Sequence, residues 1–147
     1  GKVYCSPHRR TLETLCHALD SHVQKQDLTI ILLPLSKEVF SSFGNVPVHV
    51  NDLKRECQEK VIGNFGFKTV DYTLLNDDNL WYIRQMETDQ ATKDQWLSML
   101  EPIIDQDPIP VYKQIFQERA NAGHAGETVL CIEPNDDLYN RALKLRQ

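Results

Sequence analysis

Two short apolar runs with a helical pattern between them constrain the fold more than any other feature of this chain. Residues 3–5 (Val-Tyr-Cys) and 28–33 (Leu-Thr-Ile-Ile-Leu-Leu) are typical of buried strands, and the second run ends at Pro34. Between them, apolar residues recur at helical spacing, at Leu12, Leu15, Cys16 and Leu19. A strand, a helix and a strand within 33 residues predict a βαβ unit with parallel strands and a right-handed crossover. We therefore expect an α/β fold.

The turn between the first strand and this helix has the character of an anion site. Ser6 is expected to cap the helix and Pro7 to occupy its first position. Arg10 follows within the first turn, although the helix dipole disfavours a cation there. Free backbone N–H groups together with a guanidinium favour binding of a phosphate group.

Length and composition limit the classes of protein that remain. A chain of 147 residues corresponds to a single domain, residues 1–147, and its net charge of -5 argues against a nucleic-acid partner. No apolar run is long enough to cross a membrane. The four cysteines, Cys5, Cys16, Cys57 and Cys131, form no C-x-x-C pair, which favours free thiols in a reducing compartment. We expect an intracellular, cytoplasmic protein.

The rest of the chain is mostly helical in pattern. Helices are predicted from Asn51 or Asp52 to about Gly63, from Thr88 or Asp89 to before Pro102, over 110–120, and from 134 onward, with a short strand at 128–132. Residues 63–90 are irregular apart from aromatic residues expected in the core, namely Phe65, Phe67 and Trp81, with Trp96 in the helix that follows. Only two strands are predicted with a clear pattern, and two parallel strands do not make a stable sheet. Sequence is therefore expected to be missing on both sides.

The block Ser6–Thr14 resembles the second signature of the histidine phosphatase superfamily, in its phosphoglycerate-mutase-like branch. The family pattern S-x-x-x-R-x-x-x-T is matched by Ser6, Arg10 and Thr14. Further segments resemble family motifs in the same order along the chain. These are residues 33–39 (the P-x-L-x-E block), 66–72, 80–82 and 140–143.

The resemblance implies a role for each matching residue. Arg10 would clamp a phosphate through two oxygens, with Ser6 at the helix facing the phosphate and Arg9 as a second charge. Glu38 would donate a proton to the leaving alcohol. The implied partner is a phosphate monoester or a phosphate ion, with no cofactor and no metal. His8 is expected to be a partly exposed turn residue, and Asp136 and Asp137 to begin a helix.

The nucleophile of the family is a histidine in an R-H-G turn, and no R-H-G occurs in this sequence. None of the five histidines, His8, His17, His22, His49 and His124, follows a strand in the required way. The resemblance thus implies an incomplete phosphoglycerate mutase-like parallel sheet flanked by helices, without the first and last catalytic strands. The chain as it stands is predicted to be catalytically inactive.

Three hypotheses remain open. The chain is part of an active phosphatase or mutase whose catalytic strands lie in other sequence, or it is a non-catalytic member acting as a binding or structural subunit of a larger assembly. Since an incomplete sheet exposes apolar edges, the second version needs protein partners that complete the sheet. In the third, the resemblance is accidental and the chain is an unrelated α/β interaction domain.

Overall fold

Three parallel strands form the sheet of this α/β protein, in the order β1-β2-β3. The computed structural model describes residues 1–37, 46–86 and 89–119. The strands are β1 (Lys2–Cys5), β2 (Thr29–Leu32) and β3 (Thr69–Asp71), and α1 (Arg9–Ala18) connects the first two. Val3 pairs with Ile30, and Ile30 with Val70, which fixes the register across the sheet. The predicted parallel βαβ unit is confirmed.

The crossover elements bury one face of the sheet. Because side chains alternate along a strand, Val3 and Cys5 share a face with Ile30, Leu32 and Val70. Ile30 and Leu32 are fully buried. Cys16 on α1 and Cys57 in the second crossover are buried as well. Because both crossovers lead to the next strand in the same direction, their common right-handed sense places both on one face of the sheet.

The second crossover is one continuous helical stretch with two geometries. An α-helix, α2 (Val50–Glu56), continues directly into a π-helical segment, Cys57–Asn64. Asn79 Oδ1 accepts a hydrogen bond from the Val50 amide at 2.8 Å and thereby satisfies one donor at the start of α2. The predicted helix is confirmed in extent to within a residue or two, but its π-helical half was not expected.

The third strand was not predicted. It has three residues, of which only Val70 is buried, and the segment 63–90 had been expected to be irregular. Short 3-10 turns flank the strands at Lys25–Asp27, Pro34–Ser36 and Thr73–Leu75. Gly66, with φ 76°, makes the left-handed turn into β3 that favours glycine.

The chain divides into two compact units, and residues 1–37 with 47–81 form the first. The described residues of the second are 46, 82–86 and 89–119. Helix α3 spans Trp81–Arg84 at the boundary, followed by α4 (Gln90–Leu100), a 3-10 turn (Glu101–Ile103) and α5 (Ile109–Arg119). The predicted helices near 89–101 and 110–120 are confirmed, and Asp89 caps α4 through the Thr92 amide.

Aromatic and aliphatic side chains together form the core of the second unit. The rings of Tyr82 and Tyr112 lie with centroids 6.5 Å apart, and Trp96 is buried on α4. Of the aromatic residues predicted to lie in the core, Trp81, Trp96 and Phe67 are buried and Phe65 is half-buried. The strand predicted at 128–132, the last helix, Cys131 and His124 lie outside the described residues.

Candidate functional site

Buried polar side chains follow the carboxyl ends of β1 and β2. Among the described residues, three of polar or charged type are buried: Ser6 (6% exposed), His8 (5%) and Lys37 (3%). The first two follow β1, and Lys37 follows β2 after the Pro34–Ser36 turn. Leu33 donates its N–H to Cys5 O at 2.8 Å, so the segments after β1 and β2 are still hydrogen-bonded where the strands end. Ligands of α/β proteins commonly bind at this edge of the sheet.

Ser6 does not cap α1, contrary to the sequence-based prediction. The helix begins at Arg9 with His8 as N-cap, because the backbone is still extended at His8 (φ -73°, ψ 136°). Pro7 therefore precedes the helix. Within the part of the chain that the structure describes, the buried Ser6 Oγ has no hydrogen-bond partner. An unpaired buried hydroxyl costs about 1–3 kcal/mol, which makes this group a candidate for ligand contact.

His8 is buried, whereas a partly exposed turn residue was predicted. Its ring meets the ring of Trp81 edge to face, with centroids 5.7 Å apart and planes at 64°. Its carbonyl accepts the amides of Thr11 and Leu12 and so closes the first turn of α1. His8 thus anchors the turn after β1 to Trp81, which is the first residue of α3 and the last residue of the first unit.

The two arginines predicted to bind phosphate lie in the first turn of α1, both exposed. Arg9 Nε lies 2.8 Å from Glu56 Oε2 on α2, so its charge is already paired. Thr14, the third residue of the S-x-x-x-R-x-x-x-T pattern, donates its hydroxyl to Arg10 O at 2.8 Å. Of the three residues of the pattern, Ser6 therefore lies in the turn after β1, and Arg10 and Thr14 lie in α1.

Lys37 is a residue that sequence reasoning missed, although it directly precedes the predicted proton donor. Burying an ammonium is costly unless polar groups or an anion compensate it. Its position after β2 could have signalled a site residue, since β2 neighbours β1. Glu38 itself lies outside the described residues.

The described residues include three buried free thiols, Cys5, Cys16 and Cys57, and none of them is activated. Burial raises the pKa of Cys5 to about 12 and that of Cys57 to about 11, and it also raises the pKa of Cys16. Since the thiolate is the nucleophile and metal ligand, the raised pKa values disfavour both roles for these cysteines in the folded chain. Across the described ranges, no group of three or more His, Cys, Asp or Glu side chains is arranged to hold a metal ion.

An open pocket of about 390 Å³ lies beside the carboxyl end of β3. Asp71, Tyr72 and Asp77 line it together with Lys54 of α2, whose ammonium pairs with Asp77 and lies 5.7 Å from the Tyr72 ring centroid. None of the predicted site residues lines this pocket. Asp71 accepts the Thr73 amide at 2.9 Å, so both carboxylates of this pocket have partners.

Comparison with protein-family models, with curated proteins and with solved structures found no match to this chain. Among the helices that the structure describes, none is both long enough and apolar enough to span a bilayer.

Proposed function

We propose that this chain is a phosphoglycerate mutase-like α/β protein whose β1–α1 turn binds the phosphate group of a monoester. The observation that carries the proposal is the buried Ser6 hydroxyl, which has no partner among the described residues and lies two residues before the N-cap of α1. The N-terminal end of a ten-residue helix supplies amide donors and a positive dipole beside it. A bound oxyanion accepts hydrogen bonds from the Ser6 hydroxyl and from these amides at the same time.

In the proposed site, the residues bind and orient the phosphate. Ser6 Oγ donates one hydrogen bond, and the Arg10 guanidinium contributes a planar fork that holds two oxygens. Lys37 adds a buried positive charge on the β2 side of the turn. Arg9 contributes only if its ion pair with Glu56 opens; exposed pairs of this kind are worth about 0–1 kcal/mol.

Without an R-H-G histidine in the sequence, no phosphoryl group is transferred to a nucleophile of this chain. Glu38 keeps its proposed role as proton donor only in an assembly that supplies the nucleophile. By itself the chain binds phosphate and does not hydrolyse esters.

The direct test is to titrate the unmodified chain and the Arg10→Gln variant with inorganic phosphate. Changes in the amide chemical shifts report binding. Because hydrogen bonds to charged groups contribute about 1.5–3 kcal/mol, Arg10→Gln is expected to weaken binding at least about tenfold. Arg55→Gln is the matched control, since Arg55 is an exposed arginine that pairs with Asp52 on α2. No shift at Ser6–Arg10 with the unmodified chain, or equal losses in the two variants, would overturn the proposal.

Replacing Ser6 by alanine separates stability from binding. The change removes a buried hydroxyl that has no described partner, so the free energy of unfolding is expected to rise by about 1 kcal/mol while phosphate affinity falls. Urea denaturation without phosphate and phosphate titration measure the two effects. Ser36→Ala is the control and is expected to destabilise the chain, because Ser36 Oγ donates to Leu33 O at 2.7 Å. Destabilisation by Ser6→Ala contradicts the prediction.

A second candidate function is that of a non-catalytic binding or structural subunit. The supporting observation is the outer edge of β1, which pairs with no strand among the described residues. Gel filtration of the chain with and without candidate partner proteins tests this role. Phosphate binding and an interaction through the sheet edge are compatible, since they involve different surfaces.

A further inference from the structure

An ion pair links the first turn of α1 to the end of α2, beside the proposed phosphate site. Arg9 Nε lies 2.8 Å from Glu56 Oε2. Arg9 is the first residue of α1 and directly follows the N-cap His8, whereas Glu56 is the last residue of α2. Both helices belong to the first compact unit. The pair therefore connects a residue next to the β1–α1 turn with the second crossover.

The position of Arg9 allows its guanidinium to serve either Glu56 or a bound anion. Side chains of an α-helix lean toward its N-terminus, so a side chain in the first turn extends toward the end at which the phosphate would bind. The Arg9 side chain is 55% exposed, so it can turn without displacing core residues. The first turn of α1 contains no acidic residue, and Glu56 therefore brings a negative charge to this end from another helix.

We propose that Glu56 regulates the phosphate site by holding Arg9 until an anion takes its place. Arg9 pairs with Glu56, as in the structure, and turns to the phosphate oxygens when the anion binds. The exchange is favourable because an exposed pair with a carboxylate is weak, whereas a guanidinium binds phosphate through two parallel, charge-assisted hydrogen bonds. The bound anion thus releases α2 from α1. This inference rests on the proposed function, since it requires phosphate at the β1–α1 turn.

The main variant is Glu56→Gln, which removes the competing charge and keeps a side chain of the same length. Its affinity for inorganic phosphate is expected to be about two- to fivefold higher than that of the unmodified chain, because exposed ion pairs are weak. Amide chemical shifts during a phosphate titration measure both dissociation constants. Asp52→Asn is the matched control, since Asp52 lies on α2 but pairs with Arg55. This control removes the same charge without releasing Arg9 and should bind phosphate like the unmodified chain.

Arg9→Gln shows whether Glu56 acts through Arg9. In a chain that already carries Arg9→Gln, adding Glu56→Gln should not raise the phosphate affinity further, because no guanidinium is left to release. A direct repulsion between Glu56 and the anion would instead give the same gain with and without Arg9. Circular dichroism of the single and double variants checks that they are folded, as expected for changes to an exposed ion pair.

Side-chain resonances follow the exchange directly. As phosphate is added to the unmodified chain, the Nε signal of Arg9 and the carboxyl carbon signal of Glu56 should move with the same dissociation constant as the amides of Ser6–Arg10. Three results overturn the exchange but not the phosphate site: an affinity that Glu56→Gln leaves unchanged, an equal gain in Asp52→Asn, or an equal gain in the Arg9→Gln background. Absence of phosphate binding in every chain overturns the proposed function and the exchange with it.

Discussion

Leu32→Ala is expected to lower the free energy of unfolding by about 2–5 kcal/mol. Leu32 ends the central strand β2 and is fully buried, so truncating it leaves a cavity between the sheet and the crossover helices. Since domains are typically stable by about 5–15 kcal/mol, this is a large part of the total. Urea denaturation followed by circular dichroism measures the change.

Leu74→Ala is the matched control for this variant. Leu74 lies in the 3-10 turn after β3 and is 46% exposed, so its truncation is expected to cost less than about 1 kcal/mol. Similar losses in the two variants would show that β2 is not the centre of the core. Phosphate binding should persist in Leu32→Ala under conditions where the variant remains folded, because Leu32 contributes only packing.

The second large effect is expected in the rate of thiol alkylation at pH 8. Cys5 and Cys57 should react at least about a hundredfold more slowly in the folded chain than in the unfolded chain. The reason is burial, which raises the pKa values of Cys5 and Cys57 to about 12 and about 11. Iodoacetamide labelling with peptide-resolved mass spectrometry measures each rate, and the chain in urea is the control. Equal rates in the two states would contradict the buried positions of these thiols.

The same pKa shifts give stability a pH dependence of defined sign. An unfolded thiol ionises near pH 8.5, whereas the buried thiols remain protonated well above that value. Between these values the native state binds more protons than the unfolded state, so stability falls as pH rises above about 8.5. Below that pH these groups contribute no pH dependence.

The βαβ unit could be predicted from sequence because its signals are local. Apolar runs, the helical spacing after Arg9 and the break at Pro34 each lie within a few residues of the structure they determine. The start of α4 was equally visible, since Asp89 caps the helix through a residue three positions later. Signals of this kind need no knowledge of distant parts of the chain.

The features that were missed depend on contacts distant in sequence. Strand β3 has one buried side chain, Val70, and exists because β2 offers an edge with which to pair. His8 looked like a polar turn residue, but Trp81 gives it an aromatic neighbour and buries it. The residue type and position of Ser6 predict an N-cap. In the structure the backbone is still extended at His8, two residues later, so the helix begins only at Arg9.

The contact between His8 and Trp81 has a consequence for the order of events during synthesis. Almost half of the chain lies between the two residues, yet their rings are only 5.7 Å apart between centroids. On the ribosome, strand β1, helix α1 and strand β2 are made long before Trp81 leaves the exit tunnel. The turn at Ser6–His8 is thus made well before Trp81 can complete its final surroundings.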